Sequence, residues 1–459
     1  MASSSSTVRV DAQRTALLAA PTVESESDYY ATLAAASSAD VRVARVTHGK
    51  SLVAARAFKR GERVLLEAPL VGMQQETNRF DARVCGECFR YVGSVDGQIA
   101  RRLLMPSMES ACNASGVDRE YLKKLQDGSE RLPIATDAEF MLPGITKSTG
   151  GCDREVYCSP QCAESSWNSY EKFLSVGSKS ESANGAASAT NFIEHARDTN
   201  DIFILAAKVL LSVAVEADAL RIKTSGNGKA EETESTLTSD LLLAWQPFQH
   251  GFKRIWWEAV ARPEDVAEGL PETQFRDSMK EIAGESLDLL KKCTPNAFLS
   301  NYPGLFSLEV FASLIGMFEL NNLEIAVASP IEDYFLKVDE LGDSEITAIT
   351  NPLLDALDTR YCTPCEGSGF FALQSCLNSN CDPNVSPAKS DSDVDGKCVL
   401  IASRDIAKDE ELTMCYVDET VDVETRRAEL KDYGFICMCA TCVAQSEGKG
   451  QARRGGKTK

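Results

Sequence analysis

The stretch LQSCLNSNCDPN, residues 373–384, decides how this chain folds. It begins as an apolar run typical of a buried strand and turns abruptly into asparagines, a cysteine and an Asp-Pro-Asn turn. Buried amide side chains need hydrogen-bond partners, so a strand rarely ends in several of them without using them. Asn378 and Cys381, three residues apart, are therefore expected to hold other parts of the molecule in place.

The composition of the chain limits the classes of function. Its 459 residues include 48 Lys and Arg against 68 Asp and Glu, which gives a net charge of −20. An acidic protein repels a phosphate backbone, so we expect no direct nucleic-acid binding and instead an attraction for basic proteins. The sequence has no secretory signal pattern and no apolar run near 18 residues, so we expect no membrane contact and a cytoplasmic or nuclear location.

Sixteen cysteines in a reducing compartment favour metal ligation wherever they cluster. Cys85 and Cys88 form a Cys-x2-Cys pair, and Cys158 and Cys162 follow far downstream. Two such pairs supply the four thiolates of a tetrahedral structural zinc site. The alternative interpretation is four ordinary buried thiols.

A second cluster lies further along the chain, where Cys437, Cys439 and Cys442 fall within six positions. Three thiolates are one ligand short of a closed zinc shell, so the missing ligand must come from elsewhere, and Cys381 is the residue to consider. Spacing alone leaves a redox role open, although nothing nearby is typical of a thioredoxin-like βαβ unit.

Other candidate metal ligands carry weaker patterns. Cys362 and Cys365 form a further Cys-x2-Cys pair, but a third metal site needs two more ligands and Cys398 is the one strand candidate. Ordinary thiols are therefore favoured there. The three histidines sit in no ligand pattern.

The apolar periodicity predicts an α+β chain in which strands flank a cysteine module and a helical region. Strands are expected at 41–46, 51–58, 62–71, 370–378, 396–406 and 410–417, and helices at 191–220 and near 240–260, 273–292 and 307–320. We expect the following segments: a disordered N-terminal extension (1–40), a first β part (41–84), a zinc module with a long polar, irregular insert (85–175), linkers and a helical insert (176–300), a second β part (301–420), a cysteine tail (421–445) and a basic disordered tail (446–459).

Four motifs resemble those of a known family. CLNSNCDPN (376–384), IASRDIAKDEELTMCYVD (401–418) and YGFICMCATC (433–442) resemble the C-terminal half of the SET-domain lysine methyltransferases, and CGEC (85–88) with CDREVYCSPQCAESSW (152–167) resembles a MYND-type zinc module. Their order is that of the SET-and-MYND proteins, while EGSGFFALQSC (366–376) and LIGMFELNN (314–322) suggest a divergent branch. The resemblance covers roughly residues 41–92, 150–175 and 300–445.

This resemblance implies a SET-domain fold of short, mostly antiparallel sheets with a knot-like thread. A MYND-like module and a helical insert interrupt that fold, and a zinc-binding post-SET tail closes it. The helical C-terminal domain of longer relatives is expected to be absent, which leaves the substrate groove more open.

The resemblance also assigns the methyl-donor pocket. Asn378 is expected to contact S-adenosylmethionine, and Cys381 to complete the post-SET zinc site with the three tail cysteines. The segment HGKSLVAAR is similar to the family's Gly-rich entry, whose backbone amides hold the donor's carboxylate. Donor contacts are thus expected from Gly49, Lys50, Ser51, Ser375, Asn378, Ser379, Tyr416 and Phe435.

Aromatic residues at motif positions are expected to carry the chemistry. Tyr416 matches the family's active-site tyrosine, and Tyr433 matches the aromatic residue before the tail cysteines. Cross-strand packing is the ordinary role of a lone strand tyrosine, and Phe435 is the aromatic that best fits simple core packing. The asparagine with which the family contacts the methyl donor is shifted in LIGMFELNN, and Asn321 or Asn322 is the candidate to substitute for it. The alternative is that these asparagines only cap the end of their own helix.

The chain departs from the family pattern at two places. Ser379 stands where the family has a histidine that lines the donor pocket. The MYND-like module has lost most of its second zinc site, since Cys152 alone fits and the other matching positions fall on Thr149, Tyr170 and Leu174. We therefore predict one zinc in the module and two in the protein.

A P-loop interpretation of GKS at residues 49–51 fails on two counts. The motif requires glycine where Ala44 stands, and the following SLVAARAF alternates like a strand instead of opening a helix.

The predicted function is an S-adenosylmethionine-dependent lysine N-methyltransferase acting on a histone or another protein. The alternative is a catalytically inactive, zinc-stabilised MYND/SET module that binds partner proteins. Ser379 and the eroded second zinc site favour the alternative, whereas Asn378, Tyr416 and Tyr433 oppose it.

Overall fold

The computed structural model describes residues 2–47, 49–225, 233–263, 266, 269–390 and 392–455. Within them, twelve short strands form five small sheets. The strands are β1 (Val41–Val46), β2 (Gly49–Ala54), β3 (Arg63–Glu67), β4 (Val71–Gln74), β5 (Thr146–Lys147), β6 (Val156–Tyr157), β7 (Leu323–Val327), β8 (Cys365–Phe370), β9 (Asn378–Ser379), β10 (Val385–Pro387), β11 (Cys398–Ala402) and β12 (Thr413–Met414).

Helices make up much of the remaining chain. Among the described residues, the α-helices of four residues or more are Ala2–Leu18, Val23–Ala36, Val95–Leu103, Glu109–Ala114, Arg119–Asp127, Pro160–Ser166, Ala186–Thr199, Ile202–Ser225, Glu234–Gln249, Trp256–Ala259, Glu272–Cys293, Asn296–Asn301, Leu308–Asn321, Pro330–Leu341, Ser344–Leu357, Val423–Leu430 and Ala440–Gly455. In the part of the chain that the structure describes, no helix is long and apolar enough to cross a membrane.

The sheets are antiparallel except for one pair. β1 pairs with β2, β3 and β10 with β11, β4 and β7 with β8, and β5 with β6, while β9 and β12 run parallel. This confirms the predicted α+β class with short, mostly antiparallel sheets.

The predicted strand over 370–378 is largely wrong. β8 ends at Phe370, and Gln374–Cys376 form a 3₁₀ turn. The backbone amides of Leu373 and Gln374 donate to the carboxylate of Glu67, at 2.8 and 2.9 Å, instead of to a neighbouring strand. A side chain therefore replaces the sheet ladder here, which the apolar pattern does not reveal.

The expected disorder of residues 1–40 is also wrong, because Ala2–Leu18 and Val23–Ala36 are helices. Leu17 is fully buried, and its carbonyl accepts a hydrogen bond from the indole of Trp245 at 3.0 Å. The Gln13 amide donates to the carbonyl of Asn301 at 2.9 Å. Partners more than two hundred residues away thus order a segment that looks weakly structured by itself.

The expected disorder of the tail is wrong up to Gly455, where a helix that begins at Ala440 ends. Residues 456–459 lie outside the described residues.

The helical regions are more extensive than predicted. The insert expected to be irregular contains the helices Val95–Leu103 and Arg119–Asp127, which share a core with the unpredicted helices Pro330–Leu341 and Ser344–Leu357. The single helix predicted at 191–220 is two helices, because the side chain of Asn200 accepts a hydrogen bond from the amide of Ile202 at 3.0 Å and starts a new helix. The helices predicted near 240–260, 273–292 and 307–320 are confirmed.

Candidate active site

Cys381 lies beside the three tail cysteines, as the deficit in the tail predicts. The sulfurs of Cys381, Cys437, Cys439 and Cys442 all lie within 4.8 Å of one another. The Cys381 sulfur is 3.9 Å from that of Cys437 and 3.6 Å from that of Cys442. Tetrahedral ligands at the usual Zn–S distance stand roughly 3.8 Å apart, so this group has the geometry and chemistry of a structural zinc site.

A buried arginine supports this cysteine group. Arg426 is 1% exposed and donates from Nη2 to the Cys442 sulfur at 3.7 Å and from Nη1 to the carbonyl of Glu419 at 3.2 Å. The neighbouring Arg427 donates to the carbonyl of Cys437 at 3.1 Å. A guanidinium next to thiolates offsets their negative charge. Sequence reasoning missed Arg426, because the polar helix that carries it gives no sign of burial.

The other predicted cysteine group is also assembled. The Cys158 sulfur lies 3.5 Å from that of Cys88 and 3.6 Å from that of Cys162, and Cys85 completes the set. Among the described residues, these two groups alone bring three or more metal-ligating side chains together at this spacing. Both predicted four-cysteine groups are thus assembled, and they fit the predicted number of two zinc ions, one of them in the module.

The cysteines outside the two groups make ordinary contacts. The Cys152 sulfur lies 3.9 Å from the hydroxyl of Ser175, and the Cys362 thiol donates to the carbonyl of Thr359 at 3.0 Å. Cys365 and Cys398 are buried in β8 and β11. The interpretation of these residues as ordinary thiols agrees with the structure.

Asn378 joins the predicted entry loop to the C-terminal motif. Its amide donates to the carbonyl of Lys50 at 3.3 Å and to the Glu411 carboxylate at 2.9 Å. The hydroxyl of the fully buried Ser51 donates to the same carboxylate oxygen at 2.7 Å. Glu411, which sequence reasoning missed, therefore connects two residues predicted to contact the methyl donor, Ser51 and Asn378. The signal in the sequence that could have identified Glu411 was its position two residues before β12, the strand that pairs with β9.

The two ends of the entry loop behave differently. Gly49 is exposed and has a φ of +112°, a left-handed conformation that favours glycine, with open space where a side chain would project. The Lys50 ammonium turns away to donate to the hydroxyl of Tyr30 at 2.7 Å and to the carbonyl of His250. Burial and the nearby charge of Lys50 lower the pKa of His250 to about 4. The backbone of Lys50 thus contacts Asn378, while its side chain contacts Tyr30 on the helix Val23–Ala36.

The segment of residues 374–379, around Asn378, has two buried polar atoms without partners among the described residues. The Ser379 hydroxyl and the side-chain carbonyl of Gln374 have no hydrogen-bond partner among the described residues. Unpartnered buried polar atoms are rare in folded proteins and point to a ligand or water. Ser375 differs, since its hydroxyl donates to the carbonyl of Ala372 at 3.0 Å.

Glu67 fixes the position of this segment. It lies at the end of β3, is 6% exposed and accepts from the backbone amides of Leu373 and Gln374. Burial raises the pKa of Glu67 to about 7, although the amide hydrogen bonds partly oppose the shift. Sequence reasoning missed this residue because a single glutamate at a strand end is usually exposed.

The predicted aromatic residues form one group. The rings of Tyr416 and Tyr433 have centroids 5.1 Å apart, and Phe435 stands edge-on to Tyr416 at 6.5 Å. The Tyr416 hydroxyl donates to the carbonyl of Leu377, directly before Asn378. Burial raises the pKa of both tyrosines, so their hydroxyls stay protonated at neutral pH. Phe435 is 37% exposed, so its interpretation as simple core packing is wrong.

The two asparagines at the end of the helix Leu308–Asn321 differ, because the buried side-chain carbonyl of Asn322 has no hydrogen-bond partner among the described residues. Asn321 donates to the carbonyl of Met317 at 2.6 Å, and Asn322 donates to the hydroxyl of Ser368 at 2.9 Å. Asn321 therefore caps its own helix, which was the ordinary interpretation.

Comparison with known proteins agrees with this geometry. The family model for the SET domain matches residues 49–417, so the chain belongs to the SET-domain family. The match begins at the entry loop and ends one residue after Tyr416, so it includes Asn378 and Cys381, whereas Tyr433, Phe435 and the three tail cysteines lie beyond it.

Individual relatives place the chain more closely. It is 39% identical over 431 residues to the histone-lysine N-methyltransferase ATXR2 of Arabidopsis thaliana, covering 87% of this chain and 89% of that protein. It is 24% identical over 446 residues to the protein-lysine N-trimethyltransferase SMYD5 of Danio rerio, covering 94% and 93%. A shorter match of 83 residues, 40% identical, relates it to the histone-lysine N-methyltransferase SMYD3 of Mus musculus. The resemblance to the SET-and-MYND methyltransferases is thereby confirmed.

Proposed function

We propose that this protein is an S-adenosylmethionine-dependent protein-lysine N-methyltransferase that holds two structural zinc ions. One observation carries the proposal: Cys381 joins the tail cysteines, and the same short segment places Asn378 against the entry loop and Leu377 against Tyr416. A single segment thus links the four-cysteine group around Cys381, the proposed donor pocket and the group of aromatic residues.

The residues present fit the methyl donor. When bound, S-adenosylmethionine supplies an electrophilic methyl group on a sulfonium. The hydroxyl of Ser379 and the side-chain carbonyl of Gln374 have no hydrogen-bond partner among the described residues and are therefore available to a ligand. The Asn378 amide is held by Lys50 and Glu411, and it positions the entry loop on which the ligand's carboxylate would rest.

The aromatic group fits the requirements of the amine nucleophile. Lysine has a reference pKa of about 10.4, so the site must favour the neutral amine. An apolar channel favours it by desolvation. The rings of Tyr416, Tyr433 and Phe435 supply such walls, and the fixed Tyr416 hydroxyl orients the reacting groups.

The substrate class follows from charge and from the exposed residues beside the aromatic group. A net charge of −20 attracts Lys-rich protein segments, including histone tails. Ile436 and Met438 are 65% and 69% exposed and continue from Phe435 as an apolar surface. We infer that a protein lysine flanked by basic residues is the substrate, in the cytoplasm or the nucleus.

Donor binding to the purified full chain is the direct test. Isothermal titration with S-adenosylmethionine should give micromolar affinity, and Asn378→Ala should weaken it at least 10-fold. Asn113→Ala is a matched control, because that asparagine is exposed and its side chain makes no hydrogen bond within the described residues. Equal affinity in both variants would contradict the proposed pocket.

Methyl transfer to a cell extract, followed with a radiolabelled donor, tests catalysis. Tyr416→Phe should lower the rate or change the number of methyl groups added, with donor affinity within a few-fold of wild type. Absence of both donor binding and transfer in the wild type would support the alternative, a zinc-stabilised interaction module. Mass spectrometry of labelled proteins would identify the substrate.

A further inference from the structure

A cleft that contains none of the active-site residues lies where the zinc module, the insert helices and β4 meet. Its volume is about 900 Å³, which is within the size range of ligand-binding sites. Five cationic side chains line it, an unusual concentration in a chain of net charge −20. They are Arg79, Arg83, Arg101, Lys147 and Arg154.

Three of these cations already have carboxylate partners. Arg79 contacts Glu155 at 2.8 Å, and Arg154 contacts Glu76 at 2.6 Å. Lys147 lies 3.6 Å from Asp153 at the rim. These pairs build the wall of the cleft and leave those three charges neutralised.

The remaining two guanidinium groups lack a carboxylate. Arg101 donates to the backbone carbonyls of Phe80, at 2.9 Å, and Arg79. The Arg83 side chain makes no hydrogen bond or ion pair within the described residues, although its backbone amide is fixed by Gln98 at 3.1 Å.

The positive charges of Arg83 and Arg101 repel each other. Burial, followed by the charges of Arg83 and Arg102, lowers the pKa of Arg101 to about 10. Two guanidinium groups that face one cleft without a direct carboxylate contact would be stabilised by an anion that both contact.

We propose that this cleft binds a side-chain carboxylate of an acidic peptide segment from a partner protein, through the guanidinium groups of Arg83 and Arg101. The planar guanidinium fork matches a carboxylate in a two-point contact. Val84, Ile145 and Val156 add apolar wall for the stems of neighbouring side chains.

The balance of charge favours a carboxylate over a phosphate. Against the five cations stand Asp127 and Asp153 on the wall and the paired Glu76 and Glu155, which leaves one excess positive charge. One excess charge matches a monoanion. A dianionic phosphate would bring uncompensated negative charge close to two wall carboxylates.

Fluorescence anisotropy with the full chain tests the site. The probe is a labelled ten-residue peptide of Glu, Gly and Tyr, with a Gln-for-Glu peptide and a phosphoserine peptide as comparison arms. The Glu peptide should bind, and its affinity should fall at least 10-fold in Arg83→Gln and with rising salt. Arg83→Lys should show an intermediate loss, because it keeps the charge without the fork.

Arg60→Gln removes the same charge from an exposed arginine outside the cleft and should leave binding unchanged. Zinc content and thermal unfolding of each variant show whether it has folded. Failure of the Glu peptide to bind, tighter binding of the phosphoserine peptide, or equal losses in Arg83→Gln and Arg60→Gln would each overturn the proposal. Donor binding and methyl transfer are read separately, so failure here leaves the proposed enzymatic function intact.

Discussion

At the scale of single residues, Glu67 makes the stability of the fold depend on pH, because it holds the backbone of Leu373 and Gln374 just before Asn378. Its pKa in the folded protein is about 7, against 4.5 as the reference value, because the carboxylate is buried. The folded state therefore holds this proton where the unfolded chain has lost it. The stability that results is complete below pH 4.5 and is lost as the pH rises through 7.

Glu67→Gln should remove this dependence. Between pH 5 and pH 8, the free energy of unfolding of wild type should fall by about 2 kcal/mol more than that of the variant, measured by urea denaturation. Glu324→Gln changes an exposed strand glutamate and should keep the wild-type dependence. Identical pH dependences for wild type and Glu67→Gln would mean that Glu67 is ionised in the folded protein throughout this range.

Ser379, which replaces the family's usual histidine, has a buried hydroxyl without a partner among the described residues. Removing an unpartnered hydroxyl costs little stability, because no hydrogen bond is lost. Ser379→Ala should therefore change the free energy of unfolding by less than about 0.5 kcal/mol while weakening donor binding about 5-fold or more. A large loss of stability with unchanged donor affinity would assign this hydroxyl a structural role instead.

At the scale of elements, the N-terminal helix Ala2–Leu18 offers two adjacent leucines in opposite environments. Leu17 is fully buried, whereas Leu18 is 38% exposed. Leu17→Ala should lower the free energy of unfolding by about 2–5 kcal/mol through the cavity it leaves. Leu18→Ala should change it by less than about 1 kcal/mol. If urea denaturation showed equally small losses in the free energy of unfolding for both variants, this helix would contribute little to the stability of the fold.

The elements also explain what could be predicted from the sequence. Strands with local alternation, such as β1 and β2, and the paired cysteine groups follow from spacing within the chain itself. The errors fall where distant residues decide the outcome. Glu67 replaces a sheet ladder at residues 373–374, and Trp245 orders a helix that begins at residue 2.

The same distinction applies to the candidate site. The resemblance to the SET-and-MYND proteins pointed to Asn378 and Tyr416, and the three-cysteine tail pointed to Cys381, since these residues lie inside recognisable motifs. Spacing did not identify Glu411 or Arg426, whose roles depend on which group approaches them from another segment. The opening amide-rich motif had a further use: Asn384 donates to the carbonyl of Glu411 at 2.8 Å and accepts from the amide of Thr413 at 2.8 Å.

At the scale of the whole molecule, the two cysteine groups belong to different cores and should differ in their effect on the donor pocket. The group around Cys158 packs with the module residues Val156 and Tyr157. The group around Cys381 packs with Tyr416 and Tyr433. Loss of zinc from the second group alone should therefore disturb the aromatic group and the segment that carries Asn378.

Metal analysis of the purified full chain should return two zinc ions, and Cys381→Ser and Cys158→Ser should each reduce this to about one. Cys381→Ser should also weaken donor binding at least 10-fold, because the freed segment no longer holds Asn378 three residues away. Cys158→Ser should leave donor affinity within about threefold, since its group shares no residue with the pocket. Cys362→Ser, whose thiol contacts only a nearby carbonyl, should keep both zinc ions and full affinity. Normal donor binding in Cys381→Ser would show that the metal group and the donor pocket are independent, and the link from which the enzymatic function is inferred would be lost.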